Sequence, residues 1–208
     1  MTTGQRGRPR SFDRARALEQ ATLAFWEHGY EATSVADLTR AMGIGAPSMY
    51  AAFGDKKSLF DEVVRGYGQT HGAYMVRALA EEGTARAAIG RILREAAAEF
   101  VRPGRPPGCL VVTAAVNCAT QEVERALREQ REANLAEFER RIAADVAAGE
   151  LPATTDARAL ARFSAAVFQG MSLQARDGAA EEELAIAAET AMRAWPAAPV
   201  RRESPDGL

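Results

Sequence analysis

Residues Gly43 to Lys56 read GIGAPSMYAAFGDK, and this stretch narrows the fold more than any other. Two glycines and a proline precede Met49, Tyr50 and Phe53, and a basic residue closes the run. Its apolar spacing is too regular for a loop, and its small residues are too many for an ordinary core helix. Just upstream, Thr33 or Ser34 offers an N-cap, VADLTRAM has an inner face of Val35, Leu38 and Met42, and Gly43 ends that helix. Pro47 fits the first turn of the next helix, where a missing N–H costs little. Two short helices joined by a tight glycine turn make a helix-turn-helix.

A helix-turn-helix lays its first helix across a DNA backbone and puts the N-terminus of its second into the major groove. The small residues Gly45, Ala46 and Ser48 then allow close approach, while Met49 and Phe53 turn inward. Tyr50 points outward to phosphate, and the next helix starts at Asp55–Lys56, where free N–H groups and the lysine favour an anion. Charge is distributed in the same sense. Residues 1–57 carry eight Lys/Arg against six acids, leaving 18 against 22 in the remainder, within a net charge of −2. The first ten residues hold three arginines and no acid, and RGRP at Arg6–Pro9 matches the core of an AT-hook, so Arg8 and Arg10 belong to an expected minor-groove arm.

The rest of the chain reads as helical almost throughout, because alanine is abundant and apolar residues recur at helical spacing. The expectation is an all-α protein of about nine helices: a disordered basic arm over 1–10, a three-helix DNA-binding domain over 11–57, a larger helical domain over 58–196, and a disordered tail over 197–208. VRPGRPPGC breaks the body with three prolines and two glycines, and a short apolar helix is expected from about Cys109 to Ala119. The longest apolar run, CLVVTAAVNCA, is too short to span a bilayer, two cysteines are too few for a disulfide scaffold, and no signal peptide opens the chain. A cytoplasmic protein without membrane association is expected.

Thr33 to Phe60, TSVADLTRAMGIGAPSMYAAFGDKKSLF, resembles the DNA-binding domain of TetR-family transcriptional regulators. The family pattern has a Thr-rich start, an IA…AG(V/I) core and then Y..F..K..L. Those places hold Thr33, Val35, Leu38, Met42, Gly43, Ile44, Tyr50, Phe53, Lys56 and Leu59. The match covers roughly residues 11–60. Many members carry a lysine where this chain has Ala46, which removes one phosphate contact. Beyond residue 60 the resemblance lies in helix number and length and in the GCL start of the sixth helix.

The resemblance implies a repressor that binds a palindromic operator in double-stranded DNA as a homodimer and is released by a small apolar or aromatic effector. Thr33, Ser34, Tyr50 and Lys56 are the expected phosphate-side residues, with Ala46, Pro47 and Ser48 near base edges. The dimer face is expected on the last two helices, whose stripes are Leu160, Phe163, Val167 and Met171, and Leu184, Ala188, Ala191 and Trp195. The resemblance also implies an enclosed effector site, for which the candidates are Tyr67, His71, Tyr74, Cys109, Thr113, Asn117, Phe138 and Phe168. Cys109 starts a helix near Arg102 and Arg105, a setting that favours thiolate and a cysteine-based sensor of electrophiles or oxidants as an alternative.

Other classes fare poorly. A di-iron enzyme needs Glu-x-x-His pairs, and none occurs; neither does a Gly-x-Ser-x-Gly elbow, a P-loop or a dinucleotide fingerprint. No metal or cofactor is expected. An architectural DNA protein would be basic throughout, whereas this body is acidic.

Overall fold

The structure, a computed structural model, describes residues 12–114 and 118–197. The basic arm with Arg8 and Arg10, Asn117 and the tail from residue 198 lie outside the described residues. Among the described residues there are ten helices and no strand. A head is formed by α1 (Arg14–Ala32), α2 (Val35–Met42) and α3 (Ala46–Phe53). The body follows with α4 (Lys56–Tyr67), α5 (Ala73–Glu81), α6 (Ala85–Glu99), α7 (Leu110–Thr113), α8 (Gln121–Ala147), α9 (Ala157–Arg176) and α10 (Glu181–Arg193).

The helix without a counterpart in the sequence expectation is α5. It separates from α4 at a turn in which the Gly72 N–H donates to the Tyr67 carbonyl at 2.9 Å. A Cβ on Gly72 would lie 3.1 Å from the Gly68 Cα, so the chain folds back on glycine against glycine. The expected helix over Cys109–Ala119 is shorter, with only Leu110–Thr113 helical among the described residues.

The core runs unbroken from head to body. Phe25, Leu38 and Met49 are fully buried in the head, and Leu59 and Phe60 of α4 join them. In the body α6 is central, with Ile89, Ile92 and Leu93 fully buried. α10 lies along it.

That packing corrects the expected dimer face. Leu184, Ala188, Ala191 and Trp195 are buried within the protomer as α10 lies along α6, and Met171 of α9 is buried too. They serve the protomer's own core. Leu160 and Val167 are half-buried, and Phe163 is 39% exposed.

Two buried polar contacts hold the body's register. Asp145 of α8 accepts a hydrogen bond from the Ala85 N–H at 2.6 Å, capping the start of α6 from another helix. Ser172 of α9 accepts from the Cys109 N–H at 2.8 Å. The second contact depends on Gly108, which has φ +80° and whose absent Cβ would lie 2.6 Å from the Ser172 carbonyl oxygen. Gly108→Ala is expected to cost about 2 kcal/mol, from left-handed backbone strain and the blocked approach, and to lower the melting temperature by roughly 4–8 °C. A calorimetric scan checks this; an unchanged transition would show that the loop yields freely.

Candidate nucleic-acid interface and adjoining cavity

The helix-turn-helix is fixed by caps and by buried side chains. Ser34 and Asp37 form a reciprocal box: the Asp37 N–H donates to Ser34 Oγ at 3.1 Å, and the Ser34 N–H donates to Asp37 Oδ2 at 3.1 Å. The Ser34 hydroxyl and N–H, with Arg40 at 2.8 Å, hold the Asp37 carboxyl down at about 2. Gly43, at φ +67°, ends α2 and turns the chain toward α3. Met49 and Phe53 anchor α3 in the core, while Pro47, Ser48, Tyr50 and Ala51 face outward. Tyr50 is 50% exposed and Ala46 is half-buried at the helix start. No acidic residue occurs in α3.

Arg14 clamps this helix from behind. It forms a two-pronged ion pair with Glu62 of α4 at 2.6 and 2.8 Å, reaches the Ala52 carbonyl at 3.3 Å and lies 4.4 Å over the Phe53 ring. Lys56 starts α4 with its ammonium 4.2 Å over the Tyr30 ring, and burial pushes its pKa down. Thr33 departs from expectation. It is fully buried, and its hydroxyl donates to the Gly29 carbonyl at 2.6 Å, where α1 breaks at φ +76°. Its side chain ties the helix break together and is not offered to a phosphate.

A cavity of about 280 Å³ lies at the other end of α4. Tyr67, Cys109, Phe138 and Phe168 line it, joined by Met75, Val76, Val111, Val112 and Leu135, and by polar Gln130, Arg131, Asn134 and Gln169. Tyr74, His71 and Thr113 are not in its wall. Tyr74 is buried in the core, and the Thr113 hydroxyl donates to the Cys109 carbonyl at 2.9 Å. His71 packs edge-on to Trp26 at 5.2 Å between two charged partners. Arg105 donates to His71 Nδ1 at 2.8 Å, which leaves the ring proton on Nε2 to donate to Glu19 at 3.1 Å.

Cys109 is also corrected in character. Burial pushes its thiol up, outweighing the Val112 N–H, the Tyr67 hydroxyl and the charge of Arg131. Arg102 and Arg105 do not serve it, because both pair with Glu99. A buried thiol at the start of a four-residue helix is a packed neutral group.

Further contacts join head and body. The aromatic faces of α1 and α4 share one core. Arg176 of α9 donates to the Trp26 and Glu27 carbonyls, both at 3.3 Å. Glu31, in the last turn of α1, accepts from the Ala119 and Thr120 N–H groups at 3.1 and 2.7 Å. It thereby caps α8, whose own N-cap Thr120 makes no side-chain cap. Those bonds, with the Cys118 thiol, hold the Glu31 pKa down. Glu31 was not a candidate in the sequence, because nothing there tells that α1 ends beside the start of α8. Among the described residues no group of three His, Cys, Asp or Glu is placed to hold a metal ion, and no helix is long and apolar enough to cross a membrane.

A helix-turn-helix head on a larger all-α body with an internal cavity defines a two-domain DNA-binding regulator. The chain belongs to the TetR family of transcriptional regulators, and is not an enzyme: residues 17–63 match "Bacterial regulatory proteins, tetR family" and residues 83–191 match "Tetracyclin repressor-like, C-terminal domain". It is 36% identical over 197 residues to the HTH-type transcriptional repressor ComR of Escherichia coli (strain K12), covering 92% of each chain. It is 30% identical over 182 residues to the HTH-type transcriptional repressor BdcR of the same organism, covering 88% of each. Among solved structures it resembles a cysteine-substituted form of the TetR family transcriptional regulator CifR complexed with 26bp double-strand operator DNA. That match has a TM-score of 0.87 and 43% identity and covers 91% of this chain and 100% of the other.

The buried thiol sets an expected order of reactivity. At pH 7 a maleimide should label half-buried Cys118 well before Cys109, and Cys109 labelling should accelerate only as the pH rises past the ordinary thiol range. Peptide mass spectrometry over time measures both, and rapid Cys109 labelling at pH 7 would restore the thiolate reading.

Proposed function

We propose that the chain is a transcriptional repressor that binds a palindromic operator as a homodimer and lets go when a small molecule with an apolar or aromatic body fills the cavity. The observation that carries this reading is the reach of α4. Its first residue, Lys56, stands beside the helix-turn-helix, and its last, Tyr67, lines the cavity. Twelve residues at about 1.5 Å each put the two ends of this helix roughly 18 Å apart. The repressor names of ComR and BdcR and the operator complex of CifR support the operator-binding part of this reading.

On DNA, Pro47 and Ser48, with Ala46 at the helix start, approach base edges, and the Ser48 hydroxyl is the hydrogen-bonding group among them. Ser34, Tyr50 and Lys56 face phosphates, and Arg8 and Arg10 enter the minor groove. Two heads must lie one helical turn apart, about 34–36 Å, to read successive major grooves. The dimer face assigned here is the outer side of α9 and α10. Phe163, Ala166, Gly170 and Leu173 recur there at spacings of three, four and three, Ile186 is 62% exposed on α10, and Leu160 and Val167 form the border. A ligand wedged between the end of α4, α7 and α8 tilts α4 and shifts the two heads off the half-site spacing. A coupling of about 2–3 kcal/mol loosens DNA some 30- to 150-fold.

Selection of bound duplexes from a random pool, followed by anisotropy across salt, tests the proposal. Enrichment of a palindrome with a steep salt slope is expected; no enrichment would overturn the repressor reading. On the enriched duplex, Lys56→Ala should weaken all sequences alike and flatten the salt slope by about 0.9 for each phosphate that the lysine neutralises. Ser48→Ala should relax preference at one position of each half-site.

The dimer face has its own check. Phe163→Arg should yield a folded monomer in sedimentation with a near-unchanged circular dichroism spectrum, because the side chain is exposed in the protomer. A persistent dimer would remove this face from the proposal.

A further inference from the structure

The cavity carries an uneven charge. Its lining residues include two cations, Arg65 and Arg131, and no acid. Arg65 is exposed at the end of α4. Arg131 is different: it stands midway between Leu127 and Leu135, one helical turn from each, on the buried stripe of α8. One of its five N–H donors is used, by Nη1 to the Val111 carbonyl at 3.0 Å. Among the described residues no carboxylate pairs with it; Glu124 is engaged by Arg128 at 3.0 Å. Arg131 is half-buried, and this partial desolvation lowers its pKa against the opposing pull of Glu124 and Glu132, neither of which forms an ion pair with it. Its remaining donors make no hydrogen bond among the described residues and are open to a ligand that enters the cavity.

The rest of the lining says what shape of molecule would do so. Gln130, Asn134 and Gln169 stand with Arg131 on the polar side, and the Gln130 amide already donates to Asn134 at 3.2 Å. Met75, Val112, Leu135, Phe138 and Phe168 supply apolar wall. The volume, about 280 Å³, is the space of roughly nine waters at about 30 Å³ each. That holds a small body and one head group. A planar guanidinium with free donors matches a carboxylate in a two-pronged arrangement, and a single negative charge suits the half-buried Arg131, Arg65 being exposed.

We propose that the ligand of this cavity is a small monocarboxylate with an alkyl or aryl body, its carboxylate held by the Arg131 guanidinium and its body against Phe138 and Phe168. This deepens the proposed function, since it rests on the cavity being the effector site. The competing role for Arg131 is structural, tying α8 to α7 through Val111.

Matched acid and amide pairs separate the two roles. Titration calorimetry of the full chain would use octanoate against octanamide and 3-phenylpropanoate against 3-phenylpropanamide. The acid of at least one pair should bind about 30-fold tighter than its amide, and Arg131→Gln should reduce that preference to threefold or less. Arg131→Lys, which keeps the charge and loses the fork, should fall between. Amides binding as tightly as acids, a preference that survives in Arg131→Gln, or no binding of any probe at millimolar concentration would overturn the proposal. The wild-type acid–amide comparison stands even if a variant fails to fold. Acid-selective binding that does not release an enriched operator duplex would uphold the ligand class and overturn the effector reading, so the two fail separately.

Discussion

Everything in this molecule hangs on an aromatic seam between α1 and α4. Phe25 meets Phe60 edge-on at 5.0 Å, and Tyr30 meets Phe60 at 5.1 Å at the head end. Trp26 meets Tyr67 edge-on at 5.2 Å at the cavity end. Such pairs add about 0.5–1.5 kcal/mol each beyond the area they bury. Their placement matters as much as their strength. One helix pair carries these contacts both beside the helix-turn-helix and beside the cavity.

Polar contacts mark both borders of that seam. Arg14 holds the C-terminal turn of α3 to α4 through Glu62 and Ala52. His71 gathers Glu19 of α1 and Arg105 of the loop before α7 onto the Trp26 face. Glu31 caps α8 from the end of α1, and its depressed pKa sets the sign of the pH effect. That cap is intact above the ordinary carboxylate range and is lost as the pH falls through the lowered value. Being exposed, it acts as a positional tie more than as a source of stability.

The head was legible in the sequence because its signals are local. Gly43 ends α2, Pro47 opens α3, and Met49 and Phe53 fall inward, as helical spacing alone requires. The body was legible in its helices and less so in its partnerships. A stripe such as Leu184, Ala188, Ala191 and Trp195 states that a face is buried, and says nothing of whether the cover is α6 or a second protomer. Thr33 beside Ser34 looked like an alternative cap, but only the break at Gly29 reveals where its hydroxyl goes. For Cys109 the helix-start argument lost to burial, which dominates a thiol's pKa once water is excluded. Arg131 did carry a signal: a charge between buried Leu127 and Leu135 interrupts the apolar stripe of α8.

A regulator of the proposed kind needs an element with two arrangements close in energy, and the structure points to where the imbalance is kept. The seam and the caps fix the head firmly, whereas the wall of the cavity holds exposed Val76 and a half-buried guanidinium without an ion-pair partner among the described residues. Filling that space changes the energy of α8 and of the end of α4 together. Packed interiors do not deform smoothly, so a small displacement there resolves into a new packing and not into diffuse strain. The same linkage runs in reverse. If ligand weakens operator binding, then operator must weaken ligand binding by an equal factor.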